Sequence, residues 1–400
     1  MKMNKIKLKD IANINMGQSP KSENYSFNEG TPFLQGNRTF GRKYPKIDTY
    51  TKKITKLAKK GEVLISVRAP VGDLNIAPVD LCIGRGLSSL NSFNELNQFL
   101  YYCLKYNMKT ILKQGSGTTY ESINKDILEN LELIAPIEKY YKKVEEILFK
   151  LDEKIELNDK INLELENMAK TIYDYWFLQF EFPNDEGKPY KSSGGKMVWN
   201  EELKKEIPDG WEIKKVNQNK LTVGGTPSRN KKEYWNGNIP WLTTSEINNN
   251  IIVKTKEFIT GEGLKNSNAK IIKENTLVMA MYGLGTAGRV GYVVFPFTTN
   301  QACCSIDCDD ENEKCYLYFF LQSKSKYIDS IVTGSIQKNL NKETIGNLIY
   351  ALPKKDILKK TNYIKILEIL IKNVKENEEL ISLRDYLLPL LMNGQVGFKD

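Results

Sequence analysis

The sequence predicts an α+β chain made of two tandem copies of one module, each followed by a long helix, with the two helices pairing as an antiparallel coiled coil about a pseudo-twofold axis. Three observations carry that reading: an internal repeat, an element order shared by both copies, and two amphipathic runs too long for a small globule. Residues 99–136 align without a gap to residues 316–353, at a constant offset of 217 positions. Eleven of these 38 positions are identical, among them Leu100/Leu317, Tyr101/Tyr318, Leu104/Leu321, Gly117/Gly334, Asn124/Asn341, Lys125/Lys342 and Pro136/Pro353. Chance in so Lys-, Asn- and Ile-rich a chain would give roughly three, so duplication is the better account. Looser echoes precede the aligned block: Gly17-Gln18-Ser19-Pro20 matches Gly224-Gly225-Thr226-Pro227 in character, and Thr31-Pro32-Phe33-Leu34 matches Ile239-Pro240-Trp241-Leu242.

Each copy opens with short apolar runs separated by Gly, Pro and Asn, such as Glu62-Val63-Leu64-Ile65-Ser66-Val67 and Thr276-Leu277-Val278-Met279-Ala280, which read as strands. An apolar helix follows in each, over 98–112 and 314–331, then a polar Gly loop and a short run ending at Pro136 or Pro353. Beyond each proline the period changes. From 138 to about 178, Val144, Leu148, Leu151, Ile155, Asn158, Asn162, Leu165, Ala169, Ile172 and Trp176 fall at three- and four-residue spacing. Tyr363, Leu367, Leu370, Val374, Asn377, Ile381 and Leu388 keep the same rhythm from about 356 to 392. A helix of roughly forty residues cannot bury so narrow a stripe on a small module, so two such helices should pair. Asn158 and Asn377 on that seam fix register at a cost in stability, or else reflect an Asn-rich chain. The turn-rich stretch from Phe182-Pro183 to Gly194-Gly195-Lys196 reads as a connector. The boundaries that follow are 1–136, 137–178, 179–206, 207–353 and 354–394.

Composition narrows the chemistry. The 400 residues include no histidine, which removes Ser-His-Asp and Cys-His relays, imidazole proton shuttles and histidine-ligated zinc. Lys and Arg outnumber Asp and Glu by 58 to 49, a net charge of +9 that favours polyanionic partners, nucleic acid first. Six cysteines are too few and too uneven for a disulfide framework. With neither a signal sequence nor a membrane-spanning apolar stretch, a soluble cytoplasmic protein without membrane contact is expected.

Most tempting motifs fail on physical grounds. Gly283-Leu284-Gly285-Thr286-Ala287-Gly288 has dinucleotide-fingerprint spacing, but Arg289 to Phe295 reads as a second strand where a phosphate-binding helix is required. It is a hairpin turn. Pro208-Asp209 with Glu212-Ile213-Lys214 lacks the separation that would put two carboxylates around one metal. Cys303, Cys304, Cys308 and Cys315 lack paired thiolate spacing, so no metal site is expected. No phosphate loop and no amino-methyltransferase tetrad occurs, which leaves no catalytic set.

What remains is a binding architecture. Polar and aromatic side chains recur in loops at matching positions of the two copies. In the first these are Gln35, Asn37, Arg38, Thr39, Arg68, Arg85, Thr118, Thr119 and Tyr120; in the second, Thr243, Thr244, Ser245, Glu246, Tyr282, Gln301, Gln337, Lys338 and Asn339. Arg, Asn and Gln make bidentate contacts to purine edges, whereas Lys, Ser and Thr satisfy phosphates. The loops have diverged while the helices match, as expected of one scaffold reading two different sequences. A covalent pseudo-dimer of that kind should read two unlike half-sites, held apart by helices spanning roughly 60 Å.

Over nearly its whole length the chain resembles the DNA specificity subunits of Type I restriction-modification enzymes. The resemblance rests on the module order with Ile207-Pro208-Asp209-Gly210-Trp211-Glu212, Gly225-Thr226-Pro227, Ile239-Pro240-Trp241-Leu242, Lys188-Pro189-Tyr190 and the ending Leu387-Leu388-Pro389-Leu390-Leu391-Met392-Asn393-Gly394. The first copy departs from it, with Phe33-Leu34-Gln35-Gly36-Asn37 where the second has Trp241-Leu242-Thr243-Thr244-Ser245. The resemblance implies two target recognition domains, each reading half of a bipartite asymmetric site on double-stranded DNA. It also implies that the paired helices dock two methyltransferase subunits. Those partners would bring S-adenosylmethionine for adenine-N6 methylation, and translocase (restriction) subunits would add ATP- and Mg-dependent cleavage. The chain itself would be a non-catalytic subunit without a cofactor. The competing expectation is a coiled-coil scaffold whose modules bind protein, and a self-contained nuclease or methyltransferase stands third.

Overall fold

The computed structural model describes residues 2–114, 122–283, 285–334 and 340–398. The chain divides into two compact units, Met1–Ile155 with Glu379–Asp400, and Glu156–Glu378. Each unit thus contains one module together with a stretch of both long helices.

In the first unit an antiparallel sheet has the order Ala12–Met16, Leu87–Ser92, Val63–Ser66, Leu74–Ile76. Val63 to Ser66 is buried at every position, which explains its unbroken apolar run: a central strand covered on both faces has no solvent side to alternate with. The helix Asn97–Gln114 covers one face, its Phe99, Leu100, Tyr102 and Leu104 packing with Val63, Ile65 and Leu90. On the other face Leu64 and Leu87 pack with Leu34, Leu81 and Ile83 of a second sheet, in which Thr31–Leu34 pairs in parallel with Leu81–Ile83.

The second unit repeats this plan. Its main sheet has the order Lys220–Val223, Cys303–Asp307, Thr276–Ala280, Val290–Val293, with Asn250–Ile252 added at the far edge. Trp235–Leu242 pairs in parallel with Thr298–Thr299, as Thr31–Leu34 does with Leu81–Ile83. Thr276–Ala280 and Val290–Val293 are antiparallel, with Met279 opposite Val290, so a strand and not a phosphate-binding helix follows the apparent nucleotide fingerprint.

The 217-residue offset survives as geometry. Asn124 and Asn341 each cap a five-residue helix, Lys125–Glu129 and Lys342–Gly346, by accepting from the backbone N–H three residues on, at 2.9 and 2.7 Å. Each helix leads into a closing strand. Glu132–Pro136 pairs with Met3–Lys7, and Ile349–Leu352 pairs with Glu212–Lys215, so each module is tied shut between its own first and last strands.

The first long helix runs Tyr141–Ile172 and continues as a π-helical stretch, Tyr173–Leu178, that turns Tyr173 and Phe177 inward. The second is interrupted, contrary to the single run expected from periodicity. Lys355–Lys360 ends at Thr361, Asn362 takes a left-handed conformation at φ 57°, and the helix restarts as Tyr363–Met392. Thr361 Oγ1 accepts from the Tyr363 N–H at 3.2 Å, a local cap that offers the backbone an alternative to continuous helix.

Within each unit the two helices run antiparallel. In the second, Asn158 meets Asn377, Asn162 meets Asn373, and the Tyr363 hydroxyl donates to the Ala169 carbonyl, partner numbers falling as the first rise. In the first unit Val144 and Leu148 share a core with Leu388, Leu391 and Met392, while Asp152 meets Arg384.

The connector is more structured than its polar, turn-rich sequence suggests. It forms a hairpin of Met197–Asn200 with Lys205–Pro208, and it buries Phe180 and Phe182 against Trp211, with Phe182 stacked on Tyr190 at 4.6 Å. Isolated aromatics among Gly, Pro and Ser carry no periodicity, so their burial was invisible beforehand. Among the described residues no helix is long and apolar enough to cross a membrane.

Candidate nucleic-acid interface

One end of each module's sheets gathers the loops that sequence reasoning selected, and matching hydrogen bonds show how. In the first unit the Val67 N–H donates to the Gly86 carbonyl and the Ile123 N–H to the Val67 carbonyl, at 2.9 and 2.8 Å. In the second the Met281 N–H donates to Ala302 and the Leu340 N–H to Met281, at 2.8 and 3.1 Å. These crossings put Arg68 beside the Arg85 loop in the first unit and Tyr282 beside the Gln301 loop in the second.

In the first unit Gly84 and Gly86 donate to the carbonyls of Leu34 and Gln35, drawing the Gln35 strand end against the Arg85 loop. A Cβ on Gly84 would lie 2.7 Å from Gln35 Oε1 and 2.9 Å from its Cα, so this approach requires glycine. Gln35, Arg68 and Arg85 are exposed there, and the Gln35 amide oxygen accepts from the Tyr25 hydroxyl at 3.3 Å. Asn37 and Thr39 are half-buried; Asn37 donates to Asp73 Oδ2 at 2.6 Å, which leaves it a positioning group as much as a free reader. Arg38 is exposed, yet its guanidinium donates to both oxygens of Asp48 at 2.9 and 2.8 Å, and this holds the Asp48 carboxyl below the usual carboxylate range. Any ligand of Arg38 would have to compete with that carboxylate.

In the second unit Leu242 accepts from the Asn300 N–H, which sets Thr243 beside Gln301, and the Gln301 amide oxygen accepts from Thr226. Ser245 is exposed and lies 2.8 Å from the Thr243 hydroxyl, while Thr244 is half-buried. Glu246 has a different occupation. One carboxylate oxygen accepts from the backbone N–H and hydroxyl of Thr243, both at 3.0 Å, and the other from the Lys256 N–H at 2.8 Å. It closes a capping box and shapes the loop rather than facing outward. The Tyr282 ring is half-buried against the core. Thr118, Thr119, Tyr120, Gln337, Lys338 and Asn339 lie outside the described residues.

Two features escaped sequence reasoning. Arg229 lies 3.7 Å over the Trp235 ring and 4.9 Å over Trp241, and it pairs with Glu257, whose carboxyl it holds below the usual range. Its place two residues after Gly225-Thr226-Pro227 was the available signal. In the first unit a cleft beside Gln35 and Arg38 is walled by Tyr25, Phe33 and Phe27, whose ring is 81 % exposed. Two aromatics within the polar run Asn24-Tyr25-Ser26-Phe27-Asn28 were the sign of it.

The cysteines are packing groups. Cys303 and Cys304 point to opposite faces of their strand into separate cores, and all six thiols are free and buried. Among the described residues no group of three Cys, Asp or Glu side chains is placed to hold a metal ion.

A duplicated α+β module, each copy followed by a long helix and presenting dissimilar loops from one scaffold, defines a chain of two related modules. The chain belongs to the Type I restriction modification DNA specificity domain family, whose model matches residues 1–167 and 208–383. DNA sequence specificity is the function of that family. The chain is 28% identical to the Type I restriction enzyme MjaIX specificity subunit of Methanocaldococcus jannaschii, across 98% of this chain and 93% of that one. It is 26% identical to the HindI specificity subunit of Haemophilus influenzae, covering 85% and 88%. Its fold matches the crystal structure of a Type I restriction-modification S subunit from M. genitalium, with a TM-score of 0.60 at 15% identity over 100% of this chain and 97% of that one.

Proposed function

We propose that this chain chooses the DNA sequence for a Type I restriction-modification complex, each module reading one half of a bipartite asymmetric site. One observation carries the reading. The hydrogen bonds that gather the loops are repeated between modules, but the side chains they present are not: Arg68 and Arg85 in one, Tyr282 and Gln301 in the other. Shared framework with unlike tips is what two different half-sites require. Gln35, Arg68 and Arg85 supply bidentate donors for purine edges in the first module; Thr243, Ser245 and Gln301 supply hydroxyl and amide groups in the second.

In this reading, methyltransferase subunits dock on the paired helices and bring S-adenosylmethionine for adenine-N6 methylation, and restriction subunits bring ATP and Mg. Exposed Leu157, Ile161 and Met168 along the first long helix support such docking, since scattered solvent exposure does not favour three large apolar side chains on one stripe. The cytoplasm, where the DNA lies, is the compartment this implies.

Methylation mapping tests it. In cells carrying the chain with its methyltransferase partner, replacing Arg68 and Arg85 by Ala should alter the bases accepted in one half-site only. Replacing Thr243 and Gln301 should alter the other half-site only. A change in both halves, or in neither, would overturn the two-reader assignment. A duplex-binding titration with a flat salt dependence would instead favour a scaffold that binds protein.

A further inference from the structure

Asp152 sits at a junction of four segments that nothing in the reading of base contacts uses. Its carboxylate, with the side chain 5% exposed, accepts from the Tyr102 hydroxyl at 2.5 Å and from Arg384 Nη1 at 2.7 Å, and lies 3.5 Å from Lys43 Nζ. Tyr102 belongs to the module's helix, Lys43 to the loop that follows Arg38 and Thr39, Asp152 to the first long helix and Arg384 to the second. Lys43 and Arg384 are each 6% exposed, so the charges meet away from water. Lys43 also lies over the Phe149 ring of the first long helix at 4.8 Å.

Stability alone does not account for this cluster. Burying three charges carries a desolvation penalty that their attraction only partly offsets, and well-packed apolar groups usually do as well. The second unit meets its long helix at the repeat position without a charge. At the repeat position of Tyr102 stands Phe319, whose ring packs on Tyr363 of the second long helix at 4.5 Å. An apolar contact of that kind tolerates small rotations. Directional bonds converging on one buried carboxylate do not, because a shifted partner leaves a charge buried and alone.

We propose that the Lys43–Asp152–Arg384 cluster is a positioning lock that fixes the angle of the first reader on its helices, and thereby sets the one spacing between half-sites that the chain accepts. The proposal rests on the two-half-site reading above. It makes these three residues determinants of spacing, separate from the loops that determine bases.

The test uses the full chain in complex with its methyltransferase partner, on duplexes whose half-sites are intact but separated by the native spacer, one base pair fewer or one more. The readout is the ratio of methylation rates on native and altered spacers. In a triple variant, Lys43→Met with Asp152→Leu and Arg384→Met, packing is kept and charge removed. Made together with Tyr102→Phe, so that no buried hydroxyl is stranded, this variant should unfold no earlier than the native chain yet lose about tenfold in that ratio, with base preference in both half-sites unchanged. Undiminished discrimination in the folded combined variant overturns the proposal. If the combined variant fails to fold, Lys43→Met alone decides: a ratio falling in the same direction supports the lock, and an unchanged ratio, or parallel slowing on all three spacers, overturns it. A native chain indifferent to spacer length would instead overturn the two-half-site reading.

Discussion

Asn158 donates from Nδ2 to Oδ1 of Asn377 at 2.9 Å, across the seam between the two long helices of the second unit. The pair is not isolated. Asn158 also donates to Glu376, Asn377 donates to Asp159 at 2.8 Å, and one turn and more away Asn373 donates to Asn162 at 2.9 Å. A ladder of amides in an otherwise apolar seam specifies which turns face each other, because any slip strands buried polar groups.

Asn158→Leu alone should cost about 1–3 kcal/mol, since it leaves the buried Asn377 oxygen without its donor. The double replacement of Asn158 and Asn377 by Leu should recover most of that loss or exceed the native stability, because both polar partners leave together. Urea denaturation of the single and double variants checks this. Additive losses would show that the amides contribute independently and do not set register.

Acid should weaken the first unit through Asp152. Burial by itself pushes this carboxyl up, but Lys43, the Tyr102 hydroxyl and Arg384 outweigh it, so Asp152 titrates below its ordinary value of 3.8. A carboxyl depressed in the folded state contributes stability that is fully present above its unfolded value and is lost as pH falls through the folded one. The stability gap between native chain and Asp152→Asn should therefore be constant from neutrality to about pH 4 and shrink below it. Urea midpoints at a series of pH values measure this; a gap that widens on acidification would contradict it.

The thiols should be silent in the native chain. Burial pushes Cys103, Cys304, Cys308 and Cys315 up to about 12 and raises Cys303 further, so little thiolate exists at neutral pH. Iodoacetamide followed by mass spectrometry should find these five unmodified under native conditions and all six cysteines alkylated in denaturant. Rapid native labelling of Cys303 or Cys304 would mean that their strand opens.

Because the repeat reproduces a helix cap, its two copies should be energetically alike. Asn124→Ala and Asn341→Ala each remove a side-chain acceptor from the first turn of a five-residue helix. Each should cost about 1 kcal/mol by urea denaturation. A loss confined to one copy would show that the caps no longer serve equivalent modules.

Much of the architecture was legible in the sequence because it is written in local periodicity. The offset between Asn124 and Asn341 carried two capped helices and two closing strands into register, and the three-and-four spacing from Val144 onward marked a helix that needed a partner. The seam asparagines were readable for the same reason. The candidate loops were chosen by residue type, and the pairing of Arg68 with Tyr282, and of Arg85 with Gln301, matches the hydrogen bonds around Val67 and Met281.

Other assignments turned on local side-chain and backbone conformation, which apolar periodicity does not record. Arg38 is engaged by Asp48, Glu246 folds back on Thr243, Arg229 lies over Trp235, and Asn362 breaks a helix whose periodicity continues through it. So the sequence by itself determined the duplication, the element order and the need for paired helices, since those follow from spacing along the chain. Only the tertiary structure decided which charges are buried together, as with Asp152, Lys43 and Arg384, and which polar side chains stay free to face a ligand. Periodicity records the spacing of apolar residues along the chain, whereas the burial of Asp152 is set by Lys43 and Arg384, each more than a hundred positions away.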